Sequence, residues 1–171
     1  EGKKIDIKNK IPLKTNREGK NNYTANVSFV EKNIIRVLKG PQFDYFSELS
    51  KKEFFSKEYK ITNLTDRMGM RLEGKILKNI VSTNIRSEGI TKGAIQVPAD
   101  GQPIVLLTDH PTIGGYPKIA NVISADYDLL VQKIPGTNIS FKCIELQEAE
   151  RLYKEWCSNI SKIVKNIKKI K

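Results

Sequence analysis

The sequence is poor in the residues that most often carry chemistry. Its 171 residues include two cysteines, one histidine and one tryptophan. Cys143 and Cys157 are too few for a disulfide framework, and nothing near them has the spacing of zinc ligands. No apolar run approaches the length of a membrane span, and no signal-peptide pattern opens the chain. We therefore expect a reduced, cytoplasmic protein with one core, no metal site and no membrane span.

Positive charge is abundant but unevenly placed. The net charge is +11, which would suggest nucleic-acid binding if it formed one patch. Residues 1–20 carry a net charge of +4 and residues 152–171 a net charge of +5, whereas the rest of the chain carries +2. Because the excess lies at the two ends, we do not expect nucleic acid as a partner.

Short apolar runs between glycines and prolines predict a mainly β fold. The predicted strands are NIIRVLKG, EYKITNL, AIQVP, PIVLLTD, KIANVIS and NISFKCI, and KILKNIVSTNIR (75–86) is expected to add one or two more. A turn at Pro98–Gly101 should join AIQVP and PIVLLTD as a hairpin. With no βαβ periodicity, the pattern favours a closed or nearly closed barrel.

Three helices are expected beside the strands. Ser50 and Glu53 form a capping-box pattern for a short helix, and Ser124 should cap a second. Apolar residues at helical spacing predict a long amphipathic helix over residues 147–171. We divide the chain into residues 1–26, a linker or N-terminal extension; residues 27–150, the barrel; and residues 151–171, the C-terminal helix.

Specialised residues concentrate between Ser87 and Ala120. This segment holds five glycines and the only histidine around two buried-strand runs, and such glycines suit a backbone that turns sharply or approaches a ligand. A series of ordinary β-turns is the alternative interpretation. Together with the earlier TDRMGMRLEG, the segment supplies the candidate site. The predicted catalytic residues are Asp109 and His110, and the predicted substrate- or anion-binding residues are Arg67, Arg71, Gln96, Thr112, Gly114, Gly115, Tyr116 and Lys118.

Each assignment has a structural alternative. Arg67 and Arg71 could bind one anion through their planar guanidinium groups, or form ion pairs with Asp66 and Glu73. A histidine beside an aspartate could act as a general base, or be structural. The two consecutive glycines could present N–H groups to an anion, or simply turn the loop. Gln96 could line a pocket, or hydrogen-bond the backbone inside the barrel.

Several ordered blocks resemble one protein family. TDRMGMRLEG (65–74) and GAIQVPADGQPIVLLTDHPTIGGYPKIA (93–120), with IIRVLKGPQFDYF before them and NISFKCI after them, are similar to the KipA family. That family is also called the 5-oxoprolinase C subunit, or the biotin-dependent carboxyltransferase and allophanate-hydrolase-subunit-2 family. Its members are longer, and the resemblance covers only their C-terminal half. It implies a cyclophilin-like barrel, one of two in a full-length member.

The resemblance also implies a set of functions. The first is one component of an ATP-dependent amidohydrolase that opens 5-oxoproline to glutamate, together with the missing N-terminal half and a partner like KipI or the 5-oxoprolinase B subunit. The second is carboxyl transfer from carboxybiotin to urea or a related amide; the DHPTIGGYP loop is more similar to the oxoprolinase branch. The third is a non-enzymatic partner of a KipI-like kinase inhibitor, or an inactive remnant. ATP, or biotin in the second case, would belong to the complex, and we expect the isolated chain to be inactive.

Overall fold

The computed structural model describes residues 11–14, 22–25 and 32–170, and it places them in two compact units. One unit comprises residues 32–151, and the other comprises the described residues of 1–31 together with those of 152–171. The strands are β1 (Ile11–Lys14), β2 (Asn22–Ala25), β3 (Ile34–Lys39), β4 (Tyr59–Thr65), β5 (Gly69–Glu73), β6 (Glu88–Gly89), β7 (Ala94–Gln96), β8 (Ile104–Leu106), β9 (Ile113–Gly114), β10 (Lys118–Val122), β11 (Asn138–Cys143) and β12 (Lys168–Ile170). The helices are α1 (Glu48–Ser56), α2 (Ser124–Val131) and α3 (Leu146–Lys165).

The larger unit is a closed barrel of seven strands in the order β10, β3, β11, β4, β5, β8, β7. All neighbouring strands are antiparallel except β3 and β11, which run parallel. The hairpin of β7 and β8 forms as predicted, and Gly101 closes its turn with a φ of 73° that favours glycine. The predicted mainly β barrel with short helices and a C-terminal helix is confirmed.

Every second side chain of the strands points inward and fills the barrel. Ile35 and Val37 of β3 are fully buried while their neighbours are partly exposed, because successive side chains of a strand face opposite sides. Helix α1 adds Phe54, whose ring stacks on Phe141 of β11 with ring centroids 4.7 Å apart. Tyr59 of β4 packs at the edge of the same aromatic group and is fully buried. One continuous hydrophobic core results.

The smaller unit contains a three-stranded sheet in the order β1, β2, β12. Strand β2 pairs antiparallel with both neighbours. Helix α3 begins in the larger unit and continues past Arg151 into the smaller one. Among the helices within residues 32–170, none is long and apolar enough to cross a membrane.

The predicted N-terminal caps of α1 and α2 are at the wrong residues. The N-cap of α1 is Ser47, whose hydroxyl accepts from the Ser50 N–H at 3.2 Å, because the Ser50 hydroxyl is itself bound by the Lys78 N–H at 2.8 Å. Helix α2 begins after Ile123, which makes no side-chain cap, so Ser124 lies inside the helix.

The segment 75–86 contains no named strand, although one or two were predicted. Backbone N–H groups of this segment do not pair with a neighbouring strand. The Leu77 N–H donates to the Gly101 carbonyl at 3.0 Å, and the Ile80 N–H donates to the Tyr45 carbonyl at 2.8 Å. One isolated bridge, between Asn79 and Phe46, is the nearest feature to a strand within this segment. The apolar residues in this segment include single buried side chains such as Leu77, and they do not mark a paired strand.

Helix α3 ends at Lys165, earlier than the predicted Lys171, because Lys168–Ile170 pair with β2 as strand β12. Of the predicted N-terminal extension, residues 1–26, the structure describes the paired strands β1 and β2. The division at residues 26 and 150 stays a prediction.

A partly buried ion pair ties α2 to the barrel. Asp126, in the first turn of α2, accepts hydrogen bonds from the Arg36 backbone N–H at 2.9 Å and from its Nε at 2.8 Å, and it also forms an ion pair with Nη2 of Arg36. The carboxylate is buried, so loss of its charge would leave the guanidinium without compensation.

We expect Asp126→Asn to lower the free energy of unfolding by about 3 kcal/mol, because removing one partner of a desolvated pair exposes the other to the full burial cost. Asp128→Asn, at an exposed position of the same helix, is the matched control and should change it by less than about 0.5 kcal/mol. Urea unfolding measures both, and equal effects would contradict a special role for Asp126.

Candidate functional site

A two-stranded flap covers the outer face of the barrel at β7, β8 and β10. We define the flap as residues 85–90 and 112–116, which carry β6 and β9. Its strands are paired at Glu88 and Gly114, and further hydrogen bonds join the Ile90 N–H to the Thr112 carbonyl at 3.1 Å and the Ile85 N–H to the Gly115 carbonyl at 2.9 Å. Ile90 of the flap packs with Ala94, Leu106 and Ile104 of the barrel in a small apolar cluster.

The strand registers put Lys118 under the flap and not in the barrel core. Ile95 and Val97 of the β7 segment belong to the core, so Gln96 between them faces outward. Lys118 lies directly opposite Gln96 in the β7–β10 pair, and cross-strand partners share a face. Both polar side chains therefore lie on the face that the flap covers, and both are buried.

The Lys118 ammonium makes an ion pair with Glu88 of the flap. The lysine side chain is only 5% exposed, whereas the glutamate side chain is 42% exposed. Within residues 32–167, this buried nitrogen makes no hydrogen bond of regular geometry, and Glu88 is its ion-pair partner. A surface carboxylate thus reaches inward to a buried charge. Hydrogen bonding from Lys118, and then from Gln42, lowers the pKa of Glu88.

Gln42 is the third member of this cluster. Its backbone N–H donates to the Lys118 carbonyl at 3.3 Å, and its side-chain Oε1 accepts from the Lys118 N–H at 3.2 Å. Because the amide oxygen is used by the backbone, the Nε2 group points to Glu88 and donates to Oε1 at 2.7 Å. Two donors, Lys118 Nζ and Gln42 Nε2, therefore converge on one carboxylate oxygen. We call Gln42, Glu88 and Lys118 the lysine cluster.

Gln96 and Gly114 pack beside the lysine cluster. Gln96 Nε2 donates to the Tyr116 carbonyl at 3.5 Å, so its amide contacts backbone on the outer face and not inside the barrel. A Cβ on Gly114 would lie 2.7 Å from the same Nε2, which explains why glycine suits this position. Neither Gly114 nor Gly115 has a positive φ, so the pair lacks the left-handed residue of a backbone anion nest.

Arg67 and Asp109 meet at the end of the barrel. Their side chains form a two-pronged ion pair, with Nε to Oδ2 at 2.8 Å and Nη2 to Oδ1 at 3.2 Å, and the Asp109 N–H donates to the Arg67 carbonyl at 2.9 Å. The arginine is largely exposed. The next residue, His110, places its Nδ1 2.7 Å from the Pro111 carbonyl, which fixes its ring beside this pair.

Arg71 lies apart from that pair. It forms an ion pair with Asp100 of the β7–β8 turn, and it lines a cavity of about 480 Å³ together with Asp66 and other residues of the β4–β5 and β8 strands. The predicted ion-pair partners, Asp66 and Glu73, are wrong for both arginines. Asp66 is used locally, since its Oδ1 accepts from the Met68 and Gly69 N–H groups at 2.8 and 3.0 Å.

The candidate residues thus fall into three places and not one. Arg67, Asp109 and His110 lie at the barrel end, and Arg71 lines the cavity. The remaining candidates belong to the flap or lie beneath it: Gln96, Thr112, Gly114, Gly115, Tyr116 and Lys118. Thr112 is exposed and contributes its carbonyl to the flap ladder. Of the two arginines, Arg67 contacts Asp109 of the later segment, whereas Arg71 forms its ion pair with Asp100.

Sequence reasoning missed three residues of these groups: Gln42, Glu88 and Asp100. Gln42 follows a Gly-Pro break at the end of β3, which marks a sharp turn but no particular contact. Glu88 precedes Gly89 within the glycine-rich segment, which also contains Asp100 and Asp109, so no local signal singled it out.

Comparison with known proteins identifies related chains. Residues 1–143 match the family model described as carboxyltransferase domain, subdomain A and B. The 5-oxoprolinase C subunit of Haemophilus influenzae is 40% identical over 121 residues, which are 71% of this chain and 39% of that protein. The protein of the same name from Escherichia coli is 42% identical over 117 residues, 68% of this chain and 38% of that one. The chain therefore spans about two fifths of the length of these curated relatives.

A solved structure shares the fold. The crystal structure of Kluyveromyces lactis urea carboxylase superposes with a TM-score of 0.73 at 26% identity, covering 82% of this chain and 13% of that one.

The close approach of β3 to β10 positions the lysine cluster and generates a prediction about stability. A Cβ on Gly40 would lie 2.2 Å from the Lys118 carbonyl oxygen and 2.8 Å from the Ala120 nitrogen, both backbone atoms. We expect Gly40→Ala to lower the free energy of unfolding by about 3 kcal/mol, since the strands must separate. Gly89→Ala is the control, because its Cβ would meet nothing within 4 Å. Chemical denaturation that finds the two variants equally stable would refute this account.

The lowered pKa of Glu88 gives a pH prediction. A depressed carboxyl pKa stabilises the fold above its ordinary value of about 4.3, and the contribution disappears as the pH falls through the lower folded value. Glu88→Gln should therefore reduce the urea midpoint at pH 7, and the difference from the wild type should shrink as the pH falls below about 4. Glu73→Gln, at an exposed position of β5, controls for removal of one carboxylate. A difference that stays constant with pH would show that the Lys118–Glu88 pair does not stabilise the fold.

Proposed function

Because this chain belongs to the carboxyltransferase domain family of subdomains A and B, we propose that it is the C-terminal part of a protein like the 5-oxoprolinase C subunit. The observation that carries the proposal is the 40–42% identity to two proteins of that name over more than two thirds of the chain. In this role it works within an ATP-dependent amidohydrolase that opens 5-oxoproline to glutamate. A protein like KipI or the 5-oxoprolinase B subunit is its proposed partner, and a cytoplasmic location, where ATP is available, belongs to the same proposal.

The reaction sets clear demands on a protein site. Water adds to the lactam carbonyl, the ring C–N bond breaks, and the products are the second carboxylate of glutamate and its amino group. The amide must be activated at its oxygen, which is the use of ATP, and anionic groups must be held while this occurs. Arginine suits that purpose because its planar donors bind carboxylate or phosphate in pairs.

We assign the anion-holding role to Arg71 and the acid–base role to Asp109 and His110. Two observations support the role of Arg71: its side chain lines a cavity of about 480 Å³, and it is partly exposed to solvent. Asp109 makes a two-pronged contact with Arg67, which orients its carboxyl group at the barrel end. His110, held at Nδ1 by the Pro111 carbonyl, leaves Nε2 as its proton-transfer atom.

A second function has an observation of its own. The fold matches a yeast urea carboxylase with a TM-score of 0.73. Carboxyl transfer from carboxybiotin to urea or a related amide is therefore the alternative proposal. Inhibition by avidin and a requirement for bicarbonate would favour it, whereas glutamate release that depends on ATP and 5-oxoproline favours the first.

The proposal predicts that the isolated 171-residue chain releases no glutamate from 5-oxoproline and ATP, because it spans about two fifths of its relatives and sites of this kind form between domains. In the complete complex, Arg71→Ala should lower kcat/KM by about ten- to a hundredfold, the loss of one charge-assisted contact of about 1.5–3 kcal/mol. Arg86→Ala, at an exposed position, is the matched control. Glutamate release by the isolated chain, or equal activity of the two variants, would contradict the proposal.

A further inference from the structure

We propose that Lys118 and Gln42 form a binding site for the carboxylate of a ligand, and that the Glu88 carboxylate fills this site when the ligand is absent. The identity of the ligand rests on the proposed function: the carboxylate that binds here is that of 5-oxoproline. One member of the lysine cluster, Glu88, thus occupies a place built for another molecule.

The first argument is the state of the ammonium group. Burying a charged amine is costly unless its protons are satisfied, and an ammonium has three of them. Lys118 Nζ is fully buried and, among residues 32–167, it forms an ion pair with one carboxylate but makes no hydrogen bond of regular geometry. A buried ion pair is weak evidence for stability, because an apolar side chain of similar size often stabilises a fold as well or better. A ligand-binding role explains why a lysine occupies this position.

The second argument is the orientation of Gln42. Its amide oxygen is bound by the Lys118 backbone N–H at 3.2 Å, so its Nε2 donors must face away from the strand. They point at the same Glu88 oxygen that the ammonium contacts, at 2.7 Å. The Gln42 amide is a fixed neutral donor beside the single positive charge of Lys118. A carboxylate, which is planar and carries one negative charge, matches this pair.

The third argument is that the Glu88 side chain can leave the lysine while its backbone stays paired in the flap. Its side chain is 42% exposed, so the carboxylate comes to the lysine from the solvent side. Its backbone is fixed in the flap by pairing with Gly114, and the adjacent Gly89 has open space around it. Rotation of the Glu88 side chain toward solvent would therefore uncover Nζ and Nε2 while β6 and β9 stay paired. A carboxylate from solution could then make the contacts that Glu88 now makes.

The experiment measures binding by the full 171-residue chain without ATP or partner proteins. Protein-detected NMR follows titration with 5-oxoproline, with acetate, and with 2-pyrrolidinone, which has the same lactam ring and no carboxylate. A tethered competitor acts at a high effective concentration, so its removal should increase affinity strongly. We expect Glu88→Ala to bind 5-oxoproline at least about tenfold more tightly than the wild type, with shifts at the Gln42 side-chain amide, and to show no binding of 2-pyrrolidinone.

Two further variants test the donors. Lys118→Met in the Glu88→Ala background should abolish binding, and Lys60→Met, at an exposed position of β4, should leave it unchanged. Gln42→Glu in that background keeps the acceptor for the Lys118 N–H but replaces the donor with an oxygen, so it should also prevent binding. This variant decides the matter if the Lys118 variant fails to fold.

The outcomes separate this inference from the proposed function. Equal affinity of Glu88→Ala and the wild type, or retained binding when Lys118 or Gln42 is replaced, would overturn the carboxylate site. Equal binding of 2-pyrrolidinone and 5-oxoproline would overturn it too. Acetate binding without 5-oxoproline binding would support the site and overturn 5-oxoproline as its ligand. Glutamate release by the complete complex is a separate measurement, and its failure would leave a positive titration intact.

Discussion

The closure of the barrel at β10 is the constraint on which the rest of the molecule depends. Strand β10 pairs with β3 on one side and with β7 on the other, and it is the strand through which the two edges of the sheet are joined. Its first residue, Lys118, is also the centre of the lysine cluster. The fit of Gly40 against the backbone of β10 allows the closure, and the same fit brings Gln42 to the lysine. The same contacts therefore close the barrel and assemble the lysine cluster.

Closure also explains where a buried charged side chain lies. The β7–β10 register turns Lys118 outward, so that its side chain lies between the barrel wall and the flap. The flap then covers the stem and contributes the neutralising carboxylate. A lysine on the inner face would have met Ile95, Ile119 and the other apolar side chains of the core. Alternation along the strand places Ile119 in the core directly after the outward Lys118, and the bulge between Lys118 and Ala120 allows Ala120 to join the core as well.

Sequence patterns predicted the strands and helices well because their signals are local. Alternation and the Gly/Pro breaks identified β3, β4, β7, β8, β10 and β11, and the glycine-rich segment identified the flap as a special region. What escaped prediction depends on contacts between distant residues. Gln42 and Glu88 lie 46 residues apart and meet only after β10 has closed the barrel. Arg71 has a nearby acid in its own strand, yet it pairs with Asp100, 29 residues away, because β5 and β8 are neighbours. Strand β12 was also missed, since an Ile/Lys alternation fits the end of an amphipathic helix as readily as a strand.

The parallel pairing of β3 with β11 has a consequence for synthesis of the chain. Strand β3 is the first strand of the barrel in sequence, and both its neighbours, β10 and β11, lie about eighty to a hundred residues later. Until residues 138–143 leave the ribosome, at least one of its edges has no native partner, and its apolar Ile35 and Val37 have no complete core. Long-range pairing of this kind slows folding and prolongs exposure of unpaired edges. A ribosome that stalls before β11 is complete would therefore hold a chain able to make hairpins but unable to make a barrel, and such a chain is a substrate for chaperones.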